Sequence, residues 1–345
     1  MAGPTGAQRR IKSISYARFG YIFILPFFIV YFVFQLWPLI NTFILSFYGN
    51  GNPSEKNLTS NEDFVGMANY STLLSGGDAR NLKMQHEEFL NAFKTTIILW
   101  FGNFIPQIVL SLSLAVWFTD ARLKIAGKGF FKVVMYLPNI ITAASVSVLF
   151  MSLCSDNGAV NQILGSMGLG PVDFLKGTAA SRGTVMFIQT WLWFGNTMIM
   201  LMSGIMGISP SLFEAAEIDG ATSTQTFWKI TIPLLSPIMA YTLVTSMIGG
   251  LQMFDIPFLY HTGTEINKDI QTIAVYIFQR YKNKNGAQFG YAGAASVLLF
   301  IVTLILGSIT FYINRDVDEI AKKKQRKKLI KDAKAKSKQF GGLSI

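Results

Sequence analysis

Ser209 to Pro237 reads SPSLFEAAEIDGATSTQTFWKITIPLLSP, a polar interruption in a very apolar chain. Apolar segments of membrane-spanning length flank it, so it must lie in water at a membrane face. Its residues nonetheless specify local structure. Ser209 or Ser211 can cap a helix, Pro210 suits a first turn, where its missing N–H costs nothing, and Ser211 with Glu214 forms the S-x-x-E capping pattern. Gly220 is the natural left-handed stop. Thr222 or Ser223 can start a second short helix, which Pro233 and Pro237 close. The outcome is a helix–glycine–helix elbow carrying acids and small residues, placed where a docking surface would be.

Working outward, the 345 residues are 51% hydrophobic and 14% charged, which selects a membrane class. Uncharged runs of about 20 residues or more read as transmembrane helices, because that length is needed to cross the hydrocarbon. Six are predicted: Tyr21–Phe47, Phe93–Phe118, Phe131–Leu153, Thr184–Ile205, Ile238–Tyr260 and Tyr291–Ile313. The first follows Arg9, Arg10, Lys12 and Arg18, as a signal peptide would. It is too long for such an h-region and lacks a small-residue cleavage site, so it stays as a membrane helix. The fold class is therefore all-α, a polytopic membrane protein.

Charge sets the orientation. Segments 1–20, 119–132, 206–237 and 314–345 hold 4, 4, 1 and 11 Lys/Arg, which is 20 of the 30. The intervening loops hold 3, 2 and 4, with Lys94 at a membrane edge. Lys and Arg in short loops stay in the cytoplasm, so both termini are expected inside. The net charge of +11 is thus topological, and no nucleic-acid partner is expected. The run from Lys322 to Lys338 reads as a solvated basic tail at a lipid surface.

Several chemistries are excluded. The single cysteine, Cys154, precludes an intramolecular disulfide and a cysteine metal cluster, and it reads as a small apolar filler at a helix end. His86 and His261 lie in separate external loops, so no metal site is expected. No G-x-x-x-x-G-K-[ST] occurs. The nearest string, Ala126-Gly127-Lys128-Gly129, lacks the leading glycine and the hydroxyl, so no ATP is bound through a P-loop.

Polar side chains inside a span face a cavity or a neighbouring helix, since lipid-exposed polar atoms cost several kcal/mol. In the fourth span Gln189, Trp193 and Asn196 fall at i, i+4 and i+7, on one face, with Trp191 off the stripe. In the fifth, Gly249, Gly250, Gln252 and Asp255 cluster, and Pro257 is expected to break the helix beyond them. Glycines leave room for a ligand, amides donate and accept, and an aromatic plate stacks on a sugar's C–H face. The same residues also suit plain interhelical packing and hydrogen bonding. Asp255 is the only carboxylate within a predicted span. It reads as a substrate acceptor, a partner for a cation on another subunit, or an exposed group at the external end.

The elbow's E-A-A-x-x-D-G-A (Glu214, Ala215, Ala216, Asp219, Gly220, Ala221), followed by Phe227, Ile230, Pro233 and Pro237, resembles the cytoplasmic coupling loop of permeases in binding-protein-dependent ATP-driven importers. Leu25-Pro26, Trp37-Pro38-Leu39, Leu45-Ser46-Phe47, the string Phe64-Val65-Gly66-Met67-Ala68-Asn69-Tyr70, Tyr136-Leu137-Pro138, Gly158 and Asn161 are similar to MalF-like subunits of carbohydrate importers. The first external loop, about 40 residues from Tyr48 to Phe89, departs from the maltose prototype, where a folded domain stands.

The resemblance implies a type I importer permease fold in a bacterial cell membrane: a cytoplasmic segment 1–20, first helix 21–47, extracytoplasmic loop 48–92, core 93–313 with coupling loop 206–237, and a basic tail 314–345. It implies a sister permease, two ATPase subunits that bind ATP and magnesium, and an extracytoplasmic sugar-binding protein. It also implies no cofactor and no catalysis on this chain. Gln189, Trp193, Asn196, Gly250, Gln252 and Met253 would line the sugar pathway, and Glu214 would face the ATPase. Leu212, Ala215, Ala216 and Asp219 share one face of the first elbow helix, and the paired alanines permit close approach of another body. A secondary transporter working alone would favour inverted repeats and intramembrane acids, and the sequence displays neither beyond Asp255. A permease for a non-sugar solute remains as a competing class, although Trp191, Trp193 and Phe194 suit a saccharide.

Overall fold

The computed structural model describes residues 17–49, 64–120, 122–261, 267–282 and 288–313, with Arg326 and Ile330. The basic residues Arg9, Arg10 and Lys12 lie outside the described residues, as does Lys322–Lys338 apart from those two. The described chain is helical, with one isolated bridge between Tyr48 and Phe64. Its helices are α1 (Ala17–Tyr31), α2 (Trp37–Leu45), α3 (Ala68–Ser75), α4 (Arg80–Thr119), α5 (Lys128–Tyr136), α6 (Ala143–Leu153) and α7 (Ala159–Ser166). There follow α8 (Thr178–Met206), α9 (Pro210–Ile218), α10 (Ser223–Thr226), α11 (Ile232–Leu251), α12 (Asp255–Leu259), α13 (Ile273–Tyr281) and α14 (Phe289–Ile313). Among the described residues five helices are long and apolar enough to cross a membrane, or six if one bent pair counts as a span.

Two compact units are present, Met1–Leu90 with Tyr276–Leu298, and Asn91–Val275 with Leu299–Ile345. In the first unit, α1 and α2 join through a π-helical turn, Phe32–Leu36. The end of this long helix is pinned by residues of the string Phe64–Tyr70. Asn69 Nδ2 donates to the Ser46 and Tyr48 carbonyls at 2.9 and 2.8 Å, and the Tyr70 hydroxyl donates to Ser46 Oγ at 2.6 Å. Further along, Arg280 forms an ion pair with Glu88 and lies 4.8 Å from the centroid of the Tyr276 ring. Burial pushes the Tyr276 hydroxyl's pKa upward.

Three features depart from the expected spans. Helix α4 begins at Arg80, ahead of the expected Phe93, and its 40 residues run about 60 Å, twice the hydrocarbon thickness. Its first turns carry Arg80, Lys83, Glu87 and Glu88, so hydropathy reads them as loop although they are good helix formers.

The third span, expected as one helix Phe131–Leu153, is bent by 93° between Lys128–Ile140 and Ala143–Leu153. Pro138 opens a 3₁₀ turn, Leu137–Ile140, and the backbone then extends through Thr142. The Thr142 hydroxyl caps α6 by accepting from the Ser145 N–H at 3.3 Å. The bend rests on α8 at Gly195, where an added Cβ would lie 2.8 Å from the Met135 carbonyl carbon and 2.9 Å from Tyr136 Cα. Lipid supplies no hydrophobic force between helices, so such backbone proximity is what packing is made of.

Pro233 and Pro237 do not close a short helix. Helix α10 passes through a π turn, Phe227–Thr231, into α11, with Pro233 in the first turn of α11 and Pro237 inside it. The Ile232 N–H reaches back to the Phe227 carbonyl. This wide turn relieves the crowding that a proline ring imposes on the preceding turn of an α-helix.

Candidate functional site

In the second unit, hydrogen bonds lock α4 to α8. Gln107 Nε2 donates to Thr197 Oγ1 at 2.8 Å, Ser111 Oγ to the Phe194 carbonyl at 2.7 Å, and Thr190 Oγ1 to the Asn103 carbonyl at 3.1 Å. Asn139 Nδ2, at the bend of the third span, donates to the Leu192 carbonyl at 3.3 Å. Between α8, the end of α11 and this bend lies a cavity of about 680 Å³. Gln189, Trp193, Asn196, Gly250, Gln252, Met253 and Asp255 all line it. The face read from the i, i+4, i+7 spacing thus meets the cluster from the fifth span across one space.

The individual placements differ in kind. Trp193 is 49% exposed, and Asn196, Gln252 and Asp255 are exposed. Met253 belongs to the apolar core with Val146, Ile188, Leu192 and Ile256, and its carbonyl accepts from the Thr272 hydroxyl at 2.6 Å. Gly250 does not leave room for a ligand. The space its side chain would fill is taken by Trp100 of α4, whose Cγ would lie 2.6 Å from an added Cβ. Gly249, by contrast, has nothing within 4 Å of that position.

The helix breaks at Gln252–Phe254, before Asp255 and not at Pro257. Pro257 sits in the first turn of α12, where no N–H partner is lost. Asp255 thereby stands at the start of α12, on the cavity's rim.

The sequence reading missed Asn103 and Gln107 on α4, and Tyr241, Thr242, Thr245 and Ser246 on α11, which line the same cavity. The signal was present. Asn103, Gln107 and Ser111 repeat every fourth residue, as do Tyr241 with Thr245 and Thr242 with Ser246.

The elbow lies away from the cavity, in α9, α10 and the turn between them. Gly220 has φ +75°, and the turn closes as a Schellman motif: the Ala221 N–H donates to the Ala216 carbonyl at 2.9 Å, and the Gly220 N–H to the Glu217 carbonyl at 3.1 Å. The expected Ser211–Glu214 cap does not form. Helix α9 starts at Pro210, so Ser211 is already inside it, and the Ser209 hydroxyl pairs with that of Ser211 at 2.8 Å. The capping box stands instead at Thr222 and Gln225, whose side chains each accept from the other's N–H at 3.3 and 2.8 Å.

Ala216 is turned into the chain and buried, so the two alanines do not form an open pair; Leu212, Glu214, Ala215, Glu217, Ile218 and Asp219 are exposed. Close to Glu217 runs the turn after α4, where the Arg122 guanidinium beside Asp120, at 3.2 Å, holds that carboxyl below the usual range. Hydrogen bonding to Asp120 raises Arg122's own pKa, and Glu217 adds to the field.

The binding-protein-dependent transport system inner membrane component family matches residues 7–319. The arabinooligosaccharides transport system permease AraP of Bacillus subtilis (strain 168) is 26% identical over 296 residues, 85% of this chain and 88% of its own. The lactose transport system permease LacF of Rhizobium radiobacter is 28% identical over 301 residues, 86% of this chain and 94% of its own. A crystal structure of a bacterial ABC transporter that imports the acidic polysaccharide alginate contains a chain of similar fold, with TM-score 0.74 and 25% identity, over 90% of this chain and 99% of that one.

Proposed function

From the premise that this chain belongs to the binding-protein-dependent transport system inner membrane component family, we propose that it forms, with a sister permease, the pathway for a sugar or oligosaccharide handed over by an extracytoplasmic binding protein. One observation carries the reading: an aromatic plate and unengaged amides from the fourth and fifth spans line a single cavity of about 680 Å³, within the size range of small-molecule sites, about 300–1,000 Å³. Trp193 offers its face to a sugar's C–H surface, and Gln189, Asn196 and Gln252 offer donors and acceptors to hydroxyls. The cargoes named for AraP and LacF support a saccharide.

In this reading ATP and magnesium are bound by two separate ATPase subunits, which dock on the elbow with Glu214 toward them. Closure of the ATPase pair pushes the elbow and rocks the helices so that the cavity opens outward. Hydrolysis returns it to the cytoplasmic side, an alternating-access cycle of rigid-body motion around a fixed site. Replacing Trp193 with Ala tests the cavity. Uptake by the reconstituted complex should weaken by about 1–3 kcal/mol of binding, with assembly intact because the ring is half-exposed. Normal uptake would return Trp193 to a packing role.

The orientation we propose places 1–20, 119–132, 206–237 and 314–345 in the cytoplasm, on the strength of their Lys/Arg content. Cysteines placed at positions 60 and 340 should react with an impermeant reagent from opposite sides of the membrane. Reaction of both from one side would overturn the topology.

A further inference from the structure

We propose that the cavity admits neutral and positively charged saccharides and rejects acidic ones, with Asp255 setting that rule. The inference rests on the transport reading above and concerns the charge of the cargo, which that reading leaves open. Of the 22 described residues that line the cavity, Asp255 alone carries a formal charge, and there is no Lys, Arg or His among them. Among the described residues the cations on the elements near Asp255 are Arg182 and, in the segment 267–272 whose Thr272 hydroxyl bonds the Met253 carbonyl, Lys268; neither lines the cavity. Helices α6, α11 and α12 contain none, and on α8 the one cation is Arg182. Arg182 shares the face of Gln189, two turns nearer the start of α8, and its guanidinium is engaged by the Asp269 carbonyl at 2.8 Å and the Thr95 hydroxyl at 3.4 Å.

A uronate or a phosphosugar entering this space would shed water and find no guanidinium or ammonium among this chain's described lining residues to replace it. It would also meet a like charge. Hydroxyls fare differently. Gln189, Asn196 and Gln252 make no described hydrogen bond within the protein, and each can both donate to and accept from a sugar. An amino sugar would gain a charge-assisted bond to Asp255. Clefts with low-dielectric walls focus the field of even a few charges, so one carboxylate at the rim biases everything that enters.

The cavity's charge can be read without knowing the sugar. Gly249→Cys places a thiol in the cavity at a position where an added side chain meets nothing within 4 Å. It should be made with Cys154→Ser in the assembled transporter, with cysteine-free partner subunits. Modification rates with neutral, cationic and anionic methanethiosulfonates, each normalised to its rate on free cysteine, give the potential at that thiol. The cationic reagent should react about tenfold faster than the anionic one. Asp255→Asn should bring the ratio close to one while leaving the neutral reagent's rate unchanged. A ratio near one in the Asp255 protein, or a ratio that survives Asp255→Asn, would overturn the charge rule while leaving the transport reading standing. Failure of the neutral reagent to react in either the nucleotide-free or the ATP-bound state would remove the cavity, and the transport reading with it.

Discussion

Gly220→Val is expected to lower substrate-stimulated ATP hydrolysis of the assembled transporter by about tenfold or more, and transport with it. Gly220 has φ +75°, a region that a β-branched residue reaches only at a cost of about 1–2 kcal/mol. Nothing lies within 4 Å of an added Cβ, so the penalty is backbone strain alone and the turn itself must give way. Both Schellman hydrogen bonds, which set the angle between α9 and α10, depend on that φ. A graded series separates strain from bulk. Gly220→Asn, the side chain most tolerant of this region, should retain most of the stimulation, Gly220→Ala less, and Gly220→Val least. Glu214→Ala should leave the helices folded, because the side chain is exposed, and weaken ATPase docking by a few kcal/mol at most. Full stimulated hydrolysis in both Gly220→Val and Glu214→Ala would reduce Ser209–Pro237 to a surface loop.

Gly195→Ala should have the largest effect on stability. A methyl group there meets the backbone of Met135 and Tyr136, not the flexible end of a side chain. Relief requires moving either α8 or the bend of the third span, and overpacking of this kind costs about 1–3 kcal/mol or more. The yield of folded protein in detergent should fall, and its thermal midpoint should drop by several degrees. Gly183→Ala is the matched control on the same helix: nothing lies within 4 Å, so the substitution should be neutral or mildly stabilising through helix propensity. Equal midpoints for the two variants would contradict the close approach at Gly195.

The contrast between these two glycines marks the limit of sequence reading. Gly183 and Gly195 both sit in α8 and look alike in one dimension; what separates them is the backbone of a segment sixty residues earlier in the chain. Gly250 was read as space for a ligand for the same reason, since the Trp100 ring that fills its place comes from α4. Periodicity carried further. The stripe of Gln189, Trp193 and Asn196, the helical stop at Gly220 and the apolar spans were legible because each depends on residues within a turn or two of one another. Prolines were read too simply. Pro138 ends a helix, whereas Pro233 follows a π turn and Pro237 is absorbed into α11; the difference lies in the hydrogen-bond register ahead of the ring. The polar start of α4 escaped because hydropathy reports lipid contact and not helicity.

The absorbed prolines have a mechanical consequence. From the cap at Thr222 to Gln252 the chain is one unbroken strut of 29 helical residues, about 44 Å long. Its lower end is the elbow, and its upper end carries Gln252 and, beyond a three-residue break, Asp255. A strut is stiff along its length and bends most readily where its ladder is irregular, here at the wide turn Phe227–Thr231 and at Pro237. Thrust delivered at one end therefore arrives at the other as displacement of the cavity's rim, without passing through a relay of side chains. In the proposed cycle, the ratio between the stroke of an ATPase docked on the elbow and the widening of the cavity would then be fixed by the length and tilt of this single element.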